Sequence, residues 1–174
     1  MKRLQVVTAA LAGVAVAGTI AAFATTAQAE PTAQAVPPQI AVPAGNKLVA
    51  TYPAKGVQVY QCTDSAWTLL EPAATLKQGK EDVALHTRGP VWVSTRDGSA
   101  VNAAAVPGAS VTHPDAVPEL LLKATANRGD GVFGKVTYVQ RLATKGGLAP
   151  AGSCTAGAQT SSPYEAVYAF YAAS

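Results

Sequence analysis

The sequence predicts an all-β protein, either an antiparallel β-sandwich or a partly closed β-barrel, held by one disulfide. Three observations indicate this fold. Apolar and polar residues alternate with a period of two through much of the chain after residue 46. Turn signals rich in glycine, proline and aspartate separate short runs of β-branched and aromatic residues. After residue 29, no long stretch carries an apolar stripe with helix caps. Sandwich and barrel both fit this pattern.

The first 29 residues have the three parts of a secretory signal peptide. Lys2 and Arg3 supply the positive charge, residues 4–23 are mostly apolar, and Ala-Gln-Ala at 27–29 has small residues at the cleavage positions. Cleavage after Ala29 would leave 145 of the 174 residues, which suits one domain. We therefore expect a secreted, extracellular protein. The alternative is an uncleaved membrane anchor.

Residues 30–45 are rich in alanine and proline and show no apolar period, which is typical of an extended linker. A first edge strand at Ile40 to Val42 is the alternative. Residues 46–174 are expected to form a single β domain.

The predicted strands are short and follow one another in order. Pro53, Pro72 and Pro107 are each expected to interrupt or end a strand. Asp97-Gly98 predicts a hairpin turn, because glycine accepts the positive φ that a tight turn needs. Three consecutive leucines at 120–122 fit a strand or a helical turn, and the length of that run favours a strand. The predicted strands cover residues 47–52, 56–62, 67–70, 83–88, 91–95, 100–106, 119–126, 132–142 and 167–171.

Cys62 and Cys154 are the only two cysteines. In an exported chain an even number of cysteines predicts a disulfide. A reactive thiol and a metal pair are the alternatives, but neither cysteine has a neighbouring Cys or His at ligand spacing. The sequence therefore predicts a structural disulfide between Cys62 and Cys154.

The charge of the chain argues against two classes of partner. The formal net charge is +3, and loss of Lys2 and Arg3 with the signal peptide would reduce it to +1. No basic run is present. We therefore expect neither nucleic acid nor, after cleavage, a membrane as partner.

A glycine motif at 129–134, Gly-Asp-Gly-Val-Phe-Gly, matches the spacing of a dinucleotide-binding loop. That loop works only where a strand precedes it and a helix N-terminus follows to hold the pyrophosphate. A β-branched run follows here, so the motif predicts a turn, and no cofactor is expected.

Catalytic and metal-binding constellations are sparse. Ser99, His86 and Asp97 could be assembled into a hydrolytic triad, but Asp97 and Ser99 are better explained as turn residues. His86, His113 and Asp115 lack the ordered spacing of a metal site. We assign no catalytic residue and no metal ligand.

One group of side chains is typical of a ligand-binding cleft, since it combines aromatic rings with cationic groups. The alternative is structural: a core tryptophan, a core tyrosine hydroxyl, and a strand-end arginine paired with an acid. The candidate ligand-binding residues are His86, Arg88, Trp92, Tyr138 and Arg141.

Several blocks of the sequence, taken in order, resemble the domain-of-unknown-function 3455 family. The resemblance covers roughly residues 42–171 and implies an exported bacterial or fungal protein whose activity is not established. The blocks are Gly56 to Cys62, Trp67, His86 to Trp92, Asp97 to Ser99, Val117 to Leu122, Val136 to Arg141, Thr144 to Gly147, Pro150, Cys154, and Tyr168 to Tyr171.

Two functional hypotheses from different classes remain. The first is a non-catalytic secreted domain that binds a small molecule or a component of the cell envelope. The second is a small secreted enzyme in which His86 acts as acid or base and Arg141 holds an anionic group.

Overall fold

The computed structural model describes residues 36–174. The predicted signal peptide and residues 30–35 lie outside this range. Over residues 36–174, eight antiparallel strands follow one another and form one sheet. They are β1 (Asn46–Thr63), β2 (Ala66–Gln78), β3 (Glu81–Thr87), β4 (Val91–Ser94), β5 (Ala100–Val111), β6 (Glu119–Arg128), β7 (Val136–Gly146) and β8 (Gln159–Ala173).

The sheet closes on itself because the first strand pairs with the last. β1 and β8 are antiparallel neighbours from the pair Asn46–Ala173 to the pair Gln61–Gln159. This pairing selects the barrel over the sandwich and confirms the predicted all-β class. The predicted disulfide between Cys62 and Cys154 is also formed. No helix in the described part of the chain is long and apolar enough to span a membrane.

The connections between successive strands alternate between the two ends of the barrel. Connections 79–80, 95–99 and 129–135 lie at one end, which we call the plugged end. Connections 64–65, 88–90, 112–118 and 147–158 lie at the other, which we call the pocket end.

Aromatic side chains fill the barrel from the plugged end towards its middle. Phe133 packs on Phe170 with 4.6 Å between ring centroids, and Phe170 packs on Trp92 at 5.9 Å. Trp92 then contacts Tyr168 edge-on at 5.2 Å. Phe133, Phe170 and Trp92 are fully buried. This aromatic column is the main core of the protein, and it ends at about the middle of the barrel.

The strands continue through the prolines that were expected to interrupt or end them. β1 pairs with β8 at Pro53, but its pairing with β2 begins only at Ala54. β2 pairs with β1 at Pro72, but its pairing with β3 begins only at Ala74. Pro107 lies in a bulge of β5 where the register with β6 shifts. Each proline therefore occupies a place where the missing N–H removes no ladder bond.

The last part of the predicted linker, residues 38–42, already packs on the folded domain. Pro38–Ile40 forms a short 3-10 helix, and Ile40 is fully buried. Ile40 packs on the outer face of the barrel against Ala109 and Leu121. Gln140 Nε2 donates to the carbonyl of Ile40 at 2.7 Å. The burial of Ile40 thus gives residues 38–42 a fixed position on the barrel.

Two other predicted elements have different bounds in the structure. The run at 132–142 was expected to be one strand, but residues 132–135 form a turn and β7 begins at Val136. The turn leaves Phe133 free to enter the barrel. The last strand is longer than expected, because residues 159–163, four of them polar, also pair with β1 across the closure.

A hydrogen-bonded latch holds the Phe133 turn against the β4–β5 turn. Asp97 accepts the N–H of Ser99 at 2.9 Å, the hydroxyl of Ser99 at 2.6 Å, and the N–H of Val132 at 3.0 Å. The Ser99 hydroxyl oxygen in turn accepts the N–H of Phe133 at 3.0 Å. A Cβ at Gly131 would lie 2.1 Å from the Asp97 carboxyl carbon, so this position requires glycine. The glycine motif therefore serves the turn that the sequence predicts.

We expect Asp97→Asn to lower the melting temperature by a few degrees at pH 7, because an amide nitrogen cannot accept the N–H of Val132. Hydrogen bonds from the Ser99 hydroxyl, then from the N–H of Val132 and the N–H of Ser99, lower the pKa of Asp97 from 3.8 to about 2. The carboxylate therefore stabilises the fold above pH 3.8, and this contribution is lost as the pH falls towards 2.

Calorimetry from pH 7 to pH 2 checks this latch. The difference in melting temperature between wild type and Asp97→Asn should shrink below pH 4. Asp130→Asn is the control, since Asp130 is an exposed carboxylate of the same turn. A melting temperature for Asp97→Asn equal to that of wild type at pH 7 would contradict the latch.

Candidate ligand-binding pocket

A pocket of about 450 Å³ opens into the half of the barrel that the aromatic column does not fill. Its floor is formed by His86, Trp92 and Tyr168, where the column ends. All eight strands contribute to its wall, so the pocket is the lumen of the barrel at the pocket end. One lining residue from each strand, in order, is Gln58, Pro72, His86, Trp92, Ala105, Leu120, Arg141 and Tyr168.

The imidazole of His86 is held rigidly at the floor. Its ring lies parallel to the indole of Trp92, with 4.3 Å between centroids and 2° between planes. The edge of Tyr168 contacts the same ring at 5.0 Å. Nδ1 lies 3.0 Å from the carbonyl of Val91, and a carbonyl only accepts, so Nδ1 carries the proton and Nε2 is an acceptor.

The environment of His86 keeps it neutral at pH 7. Burial lowers its pKa from 6.5 to about 4. The hydrogen bond to Val91 opposes this shift, and the positive charge of Arg141 adds to it. Only 2% of the residue is exposed, so little water reaches the ring to stabilise an imidazolium.

Arg141 places a guanidinium in the wall of the pocket. Its Nε donates to the carbonyl of Pro118 at 3.0 Å. No carboxylate of residues 36–174 lies within 4.0 Å of its nitrogen atoms. One alternative from the sequence was that this arginine pairs with an acid. No such ion pair exists among residues 36–174. The charge of Arg141 is therefore uncompensated by the protein around it.

Two further donors of the wall lack acceptors. Gln58 and Trp92 line the pocket and are 1% and 0% exposed. The Nε2 of Gln58 and the Nε1 of Trp92 have no hydrogen-bond partner in the described part of the chain. Buried donors are rarely left in this state, so each such group calls for an explanation.

The mouth of the pocket carries an ion pair. Arg88 Nε lies 3.6 Å from a carboxylate oxygen of Glu71. Both side chains are partly exposed, so the pair adds little to stability. Its effect on the pocket is electrostatic, because the two charges offset each other. The rest of the mouth is apolar, with Leu69, Leu70 and Pro90.

Four of the five candidate residues from the sequence line this pocket: His86, Arg88, Trp92 and Arg141. Tyr138 does not. It lies on the outer face of β7 and packs with the cluster around Ile40. The register with β8 shifts between Val136 and Tyr138. Val136 therefore lies in the barrel core, whereas Tyr138, two positions later, lies on the outer face.

The other constellations considered in the sequence do not assemble into sites. Asp97 and Ser99 bond to each other in the latch at the plugged end, while His86 lies at the pocket floor. His113 Nε2 lies 3.9 Å from a carboxylate oxygen of Glu119. Over residues 36–174, no group of three or more His, Cys, Asp or Glu side chains is arranged to hold a metal ion.

Sequence reasoning missed Gln58 and Tyr168, and both had a signal. Gln58 alternates in phase with Tyr60 and Cys62, which are buried, so this face of β1 points inward. Tyr168 alternates in phase with Tyr164 and Phe170, two other buried aromatic residues. A glutamine on an aromatic, buried face indicates a polar position inside a core.

Fold and site together define a closed, eight-stranded antiparallel barrel whose lumen is filled at one end and open as a pocket at the other. The chain belongs to the family described as protein of unknown function (DUF3455), which matches residues 76–172. This match confirms the family resemblance seen in the sequence. No curated protein and no solved structure matches the chain.

Proposed function

We propose that this protein is an exported, non-catalytic binding protein that takes one small molecule into the pocket at the pocket end. The observation that carries the proposal is the composition of the wall, to which every strand of the barrel contributes. An eight-stranded barrel either fills its interior with side chains or holds one small ligand. Here the aromatic column fills the plugged end, and the pocket lies beyond it towards the pocket end.

The size and lining of the pocket support a small-molecule ligand. Its volume of about 450 Å³ falls in the range of ligand pockets in proteins. Such pockets are mostly apolar with a few placed polar groups. Leu69, Leu120 and Leu122 supply the apolar surface here, and Arg141 supplies a charge.

Export is supported by two observations. Residues 1–29 have the pattern of a secretory signal peptide. The disulfide between Cys62 and Cys154 is typical of oxidising compartments and rare in the cytosol of mesophiles. We therefore place the binding protein outside the cytoplasm. A cell-envelope component is the alternative partner, but a recessed lumen fits a small molecule better than a polymer surface.

The alternative function, a small enzyme using His86 as acid or base, has one observation in its favour. His86 and Arg141 line the same pocket. Three features of His86 favour binding instead: its pKa is about 4, its Nδ1 is bonded to the backbone, and its ring is stacked on Trp92. A base of such low pKa is a weak proton acceptor at neutral pH.

Ala105 offers a direct test of the pocket. It is exposed on β5 and lines the pocket, so Ala105→Trp fills the mouth without disturbing the core. Ala104 is also exposed and precedes it on the same strand, but does not line the pocket, so Ala104→Trp is the matched control. We expect a thermal-shift screen of sugars and organic acids to give ligands that raise the melting temperature by several degrees at saturation.

These ligands should lose their effect on Ala105→Trp and keep it on Ala104→Trp. A screen without stabilising ligands would contradict the proposed function. So would ligands that act equally on both variants. A measured turnover that vanishes in His86→Gln, with the melting temperature unchanged, would favour the enzyme instead.

A further inference from the structure

We infer that the ligand is a small amphipathic carboxylate, with its anionic group bound at Arg141 and its apolar body against the leucines of the wall. This inference rests on the proposed function and specifies the chemical class of ligand for the same pocket. It follows from the charges of the lining residues, from the free N–H groups of Arg141 and from the apolar surface of the wall.

The charge balance of the pocket leaves one positive charge. Its charged lining residues are Glu71, Arg88 and Arg141, and His86 is neutral at pH 7. Glu71 and Arg88 form an ion pair at the mouth. Arg141 is left without a carboxylate within 4.0 Å in the described range. A single positive charge complements a monoanion and leaves half the charge of a dianion such as a phosphate monoester unmatched.

The protein orients the guanidinium of Arg141 and leaves some of its N–H groups free to bind a ligand. Its Nε–H donates to the carbonyl of Pro118, and the hydroxyl of Tyr168 is a second neighbour of the guanidinium. These two contacts leave further N–H groups of the planar fork to match the two oxygens of a carboxylate. The fixed Nε reduces the entropy that the side chain loses on binding.

The unpaired N–H groups of Gln58 and Trp92 do not decide where the anionic group binds. Their nitrogen atoms are almost fully buried, so a ligand in the pocket does not reach them unless neighbouring side chains move. Arg141 is partly exposed and lines the pocket, so its guanidinium is the donor that we assign to the anionic end of the ligand.

The apolar part of the lining indicates the chemistry of the other end of the ligand. Leu69, Leu70 and Pro90 lie with the ion pair at the mouth, and Leu120 and Leu122 lie on β6. A body of carbon atoms would bury this surface from water. At about 30 Å³ per water-sized group, the pocket volume corresponds to a ligand of roughly fifteen non-hydrogen atoms.

Matched acids and amides test the inference. Titration calorimetry at pH 7.5 would give the dissociation constants of two pairs of compounds. The pairs are 4-phenylbutanoate with 4-phenylbutanamide, and cinnamate with cinnamamide. Each pair has the same body and differs in the charge of the head group. We expect the acids to bind roughly 10- to 100-fold more tightly than the amides. Ala105→Trp should abolish binding of the acids.

Variants of Arg141 assign the preference to one side chain. Arg141→Gln should remove the preference for acids, and Arg141→Lys should keep part of it, since lysine retains the charge without the planar fork. Arg128→Gln is the control, because Arg128 is exposed and lies outside the pocket. Arg141→Lys also guards against the loss of folding that removal of the bond to Pro118 can cause.

Each outcome distinguishes the inference from the proposed function. Acids and amides that bind equally well, and are both blocked by Ala105→Trp, would overturn the carboxylate assignment and keep the binding function. A preference for acids that survives in Arg141→Gln would also overturn it. Failure of every probe to bind wild type would overturn both proposals.

Discussion

Removal of the disulfide, by Cys62→Ala together with Cys154→Ala, is expected to lower the free energy of unfolding by about 4 kcal/mol. The two cysteines are 92 positions apart, and closing a loop of this length removes much of the entropy of the unfolded chain. A domain of this size has a total stability of roughly 5–15 kcal/mol. The double variant should therefore be close to unfolding at 37 °C. Equilibrium unfolding in urea measures the change.

Wild-type protein under reducing conditions is the matched comparison for the double variant. The two should unfold at similar urea concentrations, because both lack the covalent link and differ otherwise only in the two sulfur atoms. The backbone bonds between Cys62 and residues 157–158 remain in both, so the barrel should still form. A double variant within about 1 kcal/mol of oxidised wild type would show that the loop is restricted in the unfolded chain by other means.

The second large effect is a loss of about 3 kcal/mol of stability when the pH falls from 7 to 4, caused by His86. Its pKa is about 4 in the folded protein and 6.5 in the unfolded chain. Between these values the unfolded chain binds a proton that the folded protein excludes, so stability falls as the pH falls. Each unit of the shift corresponds to about 1.4 kcal/mol.

Unfolding in urea at half-unit steps of pH measures this loss. In His86→Gln the slope of stability against pH between 6.5 and 4 should disappear, whatever the stability of the variant at pH 7. His113→Gln should keep the slope, since it removes the only other histidine. The same slope in His86→Gln and in wild type would contradict the assignment to His86. The loss due to Asp97 begins only below pH 3.8, so the two groups act in separate ranges.

The sequence predicts the strands better than it predicts their lengths and their closure. Alternation is a local property, so it locates β1, β4 and β7 from neighbouring residues alone. The effect of a proline is not local. Pro53 and Pro72 are tolerated only because one neighbouring strand stops short of them. Pairing of β1 with β8 joins residues more than 90 positions apart, and no local pattern encodes it.

Residue type was enough to predict part of the candidate site. The two residues that were missed, Gln58 and Tyr168, could have been found from the alternation of buried and exposed positions along their strands. Aromatic and cationic side chains together are typical of a ligand-binding cleft, and His86, Trp92 and Arg141 do line the pocket. Tyr138 and Arg141 differ by an odd number of positions on one strand, so they lie on opposite faces. That no carboxylate of residues 36–174 lies within 4.0 Å of the Arg141 nitrogen atoms depends on the whole three-dimensional arrangement, and no sequence pattern predicts it.

Closure of the sheet by its first and last strands has a consequence for biogenesis. β1 lacks one of its two neighbours until the final residues of β8 have been synthesised. The barrel therefore cannot close before β8 has been made, and the long-range pairing of β1 with β8 predicts slow folding. A chain truncated before residue 159 would expose two unpaired sheet edges, which favours aggregation.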